Sequence, residues 1–174
     1  MEKVMVIGCP GSGKSTLSIE LSRITRLPLY HLDMMYWNSD RTTVEKSVFL
    51  QRLQQVLKED RWIIDGNYAS TMEMRMQCCD TVIFLDYPTD ICFEGVRSRR
   101  GKPRADMPWI ESEDEEDSEF MELISNYNDV NRPHVLNLLD QYQTKNIVVL
   151  HNREQAKIFL NEKSGEYRVP EQGM

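Results

Sequence analysis

What is scarce in this chain of 174 residues removes several classes of protein. Its four cysteines, Cys9, Cys78, Cys79 and Cys92, have no metal-ligand spacing, and the vicinal pair Cys78-Cys79 builds no disulfide framework. Reduced thiols and a cytoplasmic location are the expectation. No apolar run approaches the roughly 20 residues of a membrane span. Met1-Glu2-Lys3 leads straight into the first apolar run, which leaves no room for a signal peptide. Positive charge is short too: 21 Lys and Arg stand against 28 Asp and Glu, a formal charge of -7. An acidic chain is a poor general binder of nucleic acid, whose affinity comes largely from neutralised phosphates. An Asn-Lys-x-Asp guanine-reading motif is missing, which argues against a GTPase. Without internal repeats or a composition-marked linker, residues 1–174 read as one domain.

What is present is concentrated at residues 8 to 16: Gly8-Cys9-Pro10-Gly11-Ser12-Gly13-Lys14-Ser15-Thr16. This is a G-x-x-x-x-G-K-[ST] phosphate-binding loop, set between the apolar run Val4-Met5-Val6-Ile7 and a helix-like segment. The glycines let the backbone curl so that its N–H groups point at phosphate oxygens. The helix that follows adds the partial positive charge of its N-terminus. Lys14 is placed to reach the β- and γ-phosphates of ATP, and the Ser15 hydroxyl to ligate Mg²⁺.

Apolar runs bounded by turn residues recur at a spacing that suits a parallel sheet with crossover helices. Strands are expected at Val4–Ile7, at Leu27–Leu32 ending on Asp33, at Trp62–Ile64 stopped by Asp65-Gly66-Asn67, at Thr81–Leu85 and at Asn146–Leu150. Helices are expected after the loop, over Val44–Leu57, over Thr71–Met76, and from a cap at Thr89 or Asp90 toward Arg100. Residues 101–117 read as irregular. Ser118–Tyr142 reads as one long helix kinked or broken near Pro133. Glu154–Leu160 is the last expected helix, with a frayed tail from Glu162. Five strands alternating with helices predict a three-layer α/β domain.

In such a sheet ligands bind beyond the carboxyl ends of the strands, where the loop, Asp33, Asp65 and Asp86 would gather. Asp65 is the candidate acidic partner of Mg²⁺; an Asp-Gly turn is its alternative role. Asp33, with Tyr36 and Trp37 close behind, could orient or deprotonate an acceptor hydroxyl, or cap a helix beside core aromatics. His31 reads as a packed strand residue. His134 and His151 read as surface or packing residues. Residues 97–104 carry five cations in eight positions. Arg99 and Arg100 there suit a lid that neutralises a transferring phosphoryl group; solvated charge and a nucleic-acid patch are the alternatives. The acidic run from Glu111 to Glu119 and the lack of interleaved aromatics count against nucleic acid. Arg132 could add a cation to the closed site, Arg75 could bind an acceptor phosphate or pair with a carboxylate, and Arg153 could stack on adenine. The methionines Met34, Met35, Met72, Met74 and Met76 suit gap filling or pocket lining.

Taken together, the loop, His31-Leu32-Asp33 with Trp37, Asp65-Gly66-Asn67-Tyr68, Phe84-Leu85-Asp86 and the arginine cluster resemble the adenylate-kinase-related P-loop kinases. Within them the chain is most similar to the small bacterial topology modulation proteins, over Lys3 to about Leu160. The resemblance implies a P-loop NTPase fold with sheet order 2-3-1-4-5 and ATP with Mg²⁺ on the loop. It also implies a small-molecule acceptor between residues 33–60 and a short lid at about 98–118, and ATP-dependent phosphoryl transfer. It does not supply the acceptor. Gly95 stands where a lid-helix arginine is common, and no arginine closely follows Asp65-Gly66; both departures count against AMP. The competing expectation is a nucleotide-binding regulator, or a DNA-topology-associated switch, with slow hydrolysis.

Overall fold

Val4, Met5, Val6 and Ile7 are all fully buried, because the strand they form is covered on both faces and needs no polar side. The computed structural model describes residues 1–112 and 118–167. Among these, the chain runs β1 (Lys3–Gly8), α1 (Lys14–Thr25), β2 (Leu29–His31), α2 (Leu32–Tyr36), α3 (Lys46–Leu57), β3 (Trp62–Asp65) and α4 (Ala69–Cys78). It continues with β4 (Thr81–Leu85), α5 (Thr89–Arg99), α6 (Ser118–Ser125), α7 (Tyr127–Gln141), β5 (Asn146–Leu150) and α8 (Arg153–Tyr167). The strands form a five-stranded sheet in the order β2-β3-β1-β4-β5. Every pairing in it is parallel. The order agrees with the one the resemblance implied.

Alternate residues of each strand serve two cores. Met5, Ile7, Ile64, Val82 and Phe84 pack with Phe49 and Leu53 of α3, Met72 and Met76 of α4, and Val135 and Leu138 of α7. Val4, Val6, Ile63, Ile83 and Leu85 pack with Leu17 and Leu21 of α1, Cys92 and Val96 of α5, Ile124 of α6 and Phe159 of α8. The central strands β1, β3 and β4 are therefore rigid platforms whose carboxyl ends carry the phosphate loop, Asp65 and Asp86.

Several local expectations shift. Leu27 and Pro28 precede β2, and Asp33 lies in the first turn of α2 rather than at a strand end. Asp65 does not stop β3 from outside but is its last residue, in register with Val6 and His31. Helix α5 starts at Thr89 with Pro88 in the cap position, so neither Thr89 nor Asp90 caps it. The long helix breaks at Asn126, giving α6 and α7, and α7 runs through Pro133. Burial of Val135, Leu138 and Leu139 outweighs the one backbone bond that a proline forfeits. Helix α8 continues past Glu162 to Tyr167, and its start is held by the Gln155 N–H donating to Asn152 Oδ1 at 2.9 Å. Residues 101–112 are irregular, as expected, whereas residues 113–117 of the expected lid and acidic run, and the tail from 168, lie outside the described residues. No described helix is long and apolar enough to cross a membrane.

Candidate active site

The loop between β1 and α1 gets its shape from two contacts with its neighbours. Gly8 N–H donates to Asn67 Oδ1 at 3.1 Å, which ties the loop to the turn after β3. On the other side α5 presses directly on Gly11. A Cβ on Gly95 would lie 2.0 Å from Gly11 O, and a Cβ on Gly11 2.0 Å from Cys92 O. Gly95, which the resemblance marks as an irregular position, is thus required by backbone packing. Gly11 and Gly13 have φ of 84° and 94°, conformations that turn loop N–H groups to one side. Cys9 and Cys92 are fully buried here. Their mutual hydrogen bond and burial push the Cys9 thiol up, away from thiolate chemistry.

A cleft of about 1410 Å³ opens over this loop. It is lined by Pro10, Gly11, Ser12, Gly13, Lys14, Ser15 and Thr16, and by Asp33, Asp65, Arg99, Arg100 and Arg153. The loop residues, both predicted carboxylates and the predicted lid arginines thus share one space. Lys14 Nζ curls over the loop, donating to Gly8 O at 2.9 Å and Cys9 O at 3.0 Å. Burial lowers its pKa, against the pull of Cys9, Asp65 and Asp33. Across the cleft, Asp33 accepts a 2.7 Å bond from the Tyr68 hydroxyl. Burial nevertheless raises the Asp33 pKa, against the opposing influence of that bond and of Lys14. Trp37 closes this side and meets Trp109 edge-on, with ring centroids 5.2 Å apart, bringing residues 101–112 over the cleft.

Asp65 is 3% exposed. Its Oδ1 bonds His31 Nδ1 at 2.8 Å, while its Oδ2 is buried without a partner. His31 thus sits in β2, as expected, and also partners this carboxylate. Burial works against its charged form, but the Asp65 bond and the charges of Asp65, Asp106 and Asp33 leave its pKa raised. Asp106 is the residue that sequence reasoning missed. It is 6% exposed and accepts the Ser15 hydroxyl at 2.6 Å. Arg104 also grips it, through Nη2 at 2.6 Å and Nε at 2.9 Å. Despite burial, Arg104 and Ser15 hold its carboxyl well below the usual carboxylate range.

Arg99 lines the cleft and pairs with both oxygens of Glu111 at 2.9 Å. Burial and neighbouring Arg104 lower its pKa, against the pull of Glu111. The Arg132 guanidinium pairs with Asp86 at 2.7 and 2.8 Å, and it is not among the residues lining the cleft. Arg75 is fully buried and donates to the carbonyls of Gly66, Asn67, Tyr68 and Thr71, so it holds the turn after β3 rather than facing an acceptor.

The donor set suits MgATP. Ser15, Asp65 and Asp106 offer only oxygen, the ligand type a hard cation takes, and Asp65 Oδ2 is an orphaned acceptor. Among the described residues no group of three or more His, Cys, Asp or Glu could hold a metal alone.

No protein-family model matches the chain. The uncharacterized protein YqaC of Bacillus subtilis (strain 168) is 32% identical over 105 residues, covering 56% of each chain. The chain thus spans about half the length of that relative. Solved structures similar in fold include the shikimate kinase of Acinetobacter baumannii in complex with shikimate, with a TM-score of 0.62 at 11% identity over 93% of this chain and 90% of that one. The shikimate kinase of Bacteroides thetaiotaomicron matches with a TM-score of 0.58 at 19% identity over 94% and 96%. That of Aquifex aeolicus matches with 0.52 at 17% over 94% and 96%. At these identities the likeness establishes the fold: the chain has the P-loop NTPase fold of these kinases.

Proposed function

We propose that this protein is an ATP-dependent phosphotransferase of the nucleoside and nucleotide kinase type, acting on a small-molecule acceptor. The observation that carries the proposal is the sharing of one cleft by the phosphate loop, a half-buried carboxylate at Asp33 and the arginines 99 and 100. The loop amides and Lys14 would hold the β- and γ-phosphates, with Arg153 beside the base. Ser15 and Asp65 would hold Mg²⁺, which when bound neutralises phosphate charge. Asp33 would orient the acceptor hydroxyl and take its proton if the acceptor is not already a phosphate. Arg99 and Arg100 would offset charge spreading over the transferred group. Arg132 is left out of this scheme because it is not among the residues lining the cleft, whereas Arg99 and Arg100 are. Membership of the topology modulation proteins belongs to the same proposal, supported by the Asp65-Gly66-Asn67-Tyr68 segment and the arginine-rich lid. A DNA-associated switch gains no support: Arg99, Arg100 and Arg104 line the cleft beside Asp106 and Glu111, carboxylates that would repel a DNA backbone.

The test is acceptor-dependent ADP release from ATP across a panel of nucleosides, nucleotides and small alcohols. At least one acceptor is expected to stimulate release. Lys14→Ala should lower the stimulated rate by about 10²-fold or more. Asp33→Asn should mainly damage acceptor use while ATP binding persists. Wild-type turnover in Asp33→Asn would remove Asp33 from its role, and no stimulation by any acceptor would sink the kinase reading.

A further inference from the structure

Ser15 is the loop hydroxyl that the proposed function assigns to the metal, and its proton is already committed. It goes to Asp106 Oδ2 at 2.6 Å, across 91 residues of sequence. A hydroxyl has one proton and two lone pairs. When the proton is donated to a carboxylate, both lone pairs are left for a cation, and the oxygen becomes more electron-rich. A partner that instead donated to Ser15 would occupy a lone pair and compete with a metal. Asp106 is therefore of the right chemical type to prepare Ser15, and Arg104 locks its orientation through two bonds. Asp65 stands on the fixed end of β3 with Oδ2 buried and unpartnered, a group that calls for a cation or a donor. Asp65 belongs to the sheet, whereas Asp106 arrives from the irregular segment over the cleft.

We propose that Asp106 is a positioning residue for the metal. It accepts the Ser15 proton, turns the hydroxyl's lone pairs toward Mg²⁺, and so makes metal affinity depend on residues 101–112 lying over the loop. Outer groups that orient a metal's direct ligands typically contribute about 10–100-fold in metal affinity. The inference rests on the MgATP site of the proposed function and adds to it a link between lid and metal.

The test is Mn²⁺ affinity of the ADP-loaded full chain, read by the electron paramagnetic resonance of free Mn²⁺. Asp106→Ala is expected to weaken Mn²⁺ by about 10-fold or more. ADP affinity measured in chelator should change by less than about threefold. Because Asp106 acts through Ser15, the same substitution made in a Ser15→Ala background should cause little further loss. A merely structural role for Asp106 would add its full effect in that background, and that result overturns the inference. Unchanged or tighter Mn²⁺ binding in Asp106→Ala overturns it as well, because a carboxylate that blocked Ser15 would behave so. A wild-type chain that binds no ADP would overturn the donor-site reading and this inference together, so the two failures are distinguishable.

Discussion

Asp33 is a carboxylate kept where a carboxylate is costly. Burial raises its pKa, and the Tyr68 hydroxyl and Lys14 only partly compensate. A carboxyl whose folded pKa is raised adds stability only while protonated. That contribution is full below the unfolded value of about 4 and is lost as pH rises through the folded value. Asp33→Asn, which still offers Tyr68 an acceptor oxygen, should therefore raise the Tm at pH 7.5 relative to wild type. The advantage should shrink as pH falls toward 4. A lower Tm at neutral pH would contradict the assigned environment. Arg75 is the opposite case, a buried cation whose pKa desolvation lowers to about 9 and whose guanidinium donates to the carbonyls of Gly66, Asn67 and Tyr68. Arg75→Ala should cost about 3 kcal/mol or more in urea unfolding, since several buried carbonyls lose their bonds. A loss under about 1 kcal/mol would show the turn after β3 to be self-supporting.

These single residues also mark the limit of what the sequence could tell. Asp33 and Asp65 were legible because each stands beside a strand signal in a chain already carrying a phosphate loop. Asp106 was not: it is one more charge in a charge-rich irregular stretch, and its partner is 91 residues away with no period to connect them. The bond of His31 to Asp65 was hidden for the same reason, the carboxylate lying 34 residues on. Arg132 and Arg75 were read by charge alone, while the pairings that occupy them are long-range or made with backbone.

At the scale of elements, the seat of the phosphate loop on α5 matters most. Helix and loop meet backbone to backbone at Gly95 and Gly11, where no Cβ has room. Gly95→Ala would relieve backbone entropy in an ordinary helix. Here it should instead push α5 off the loop, lowering stability and weakening nucleotide binding by about tenfold, a change of about 1.4 kcal/mol. Isothermal titration with ATP reads this directly, and unaltered affinity with a raised Tm would contradict it. Strand positions were legible from apolar runs because the sheet is buried on both faces. Helix ends were less so: Pro133 suggested a break inside what is α7, but burial of that helix overrode it, and Asn126 took the turn.

For the molecule as a whole, the parallel sheet puts the loop, Asp65 and β2 with its following Asp33 at one edge, and residues 101–112 cover them. The three-layer architecture follows from alternation of strands and helices, whereas the strand order, which the sheet has, came only with the resemblance. The side of the cleft proposed for the acceptor is aromatic: Trp37, close to Asp33 in sequence, is joined there by Tyr68 and Trp109 from distant segments. The central claim is that this cleft moves a phosphoryl group between two bound molecules rather than to water. Transfer of label from γ-³²P ATP tests it most directly, with the acceptor panel present and products separated. The account predicts label in an acceptor adduct, lost in Lys14→Ala and reduced in Asp33→Asn. Label recovered only as inorganic phosphate, at a rate no acceptor changes, would contradict it.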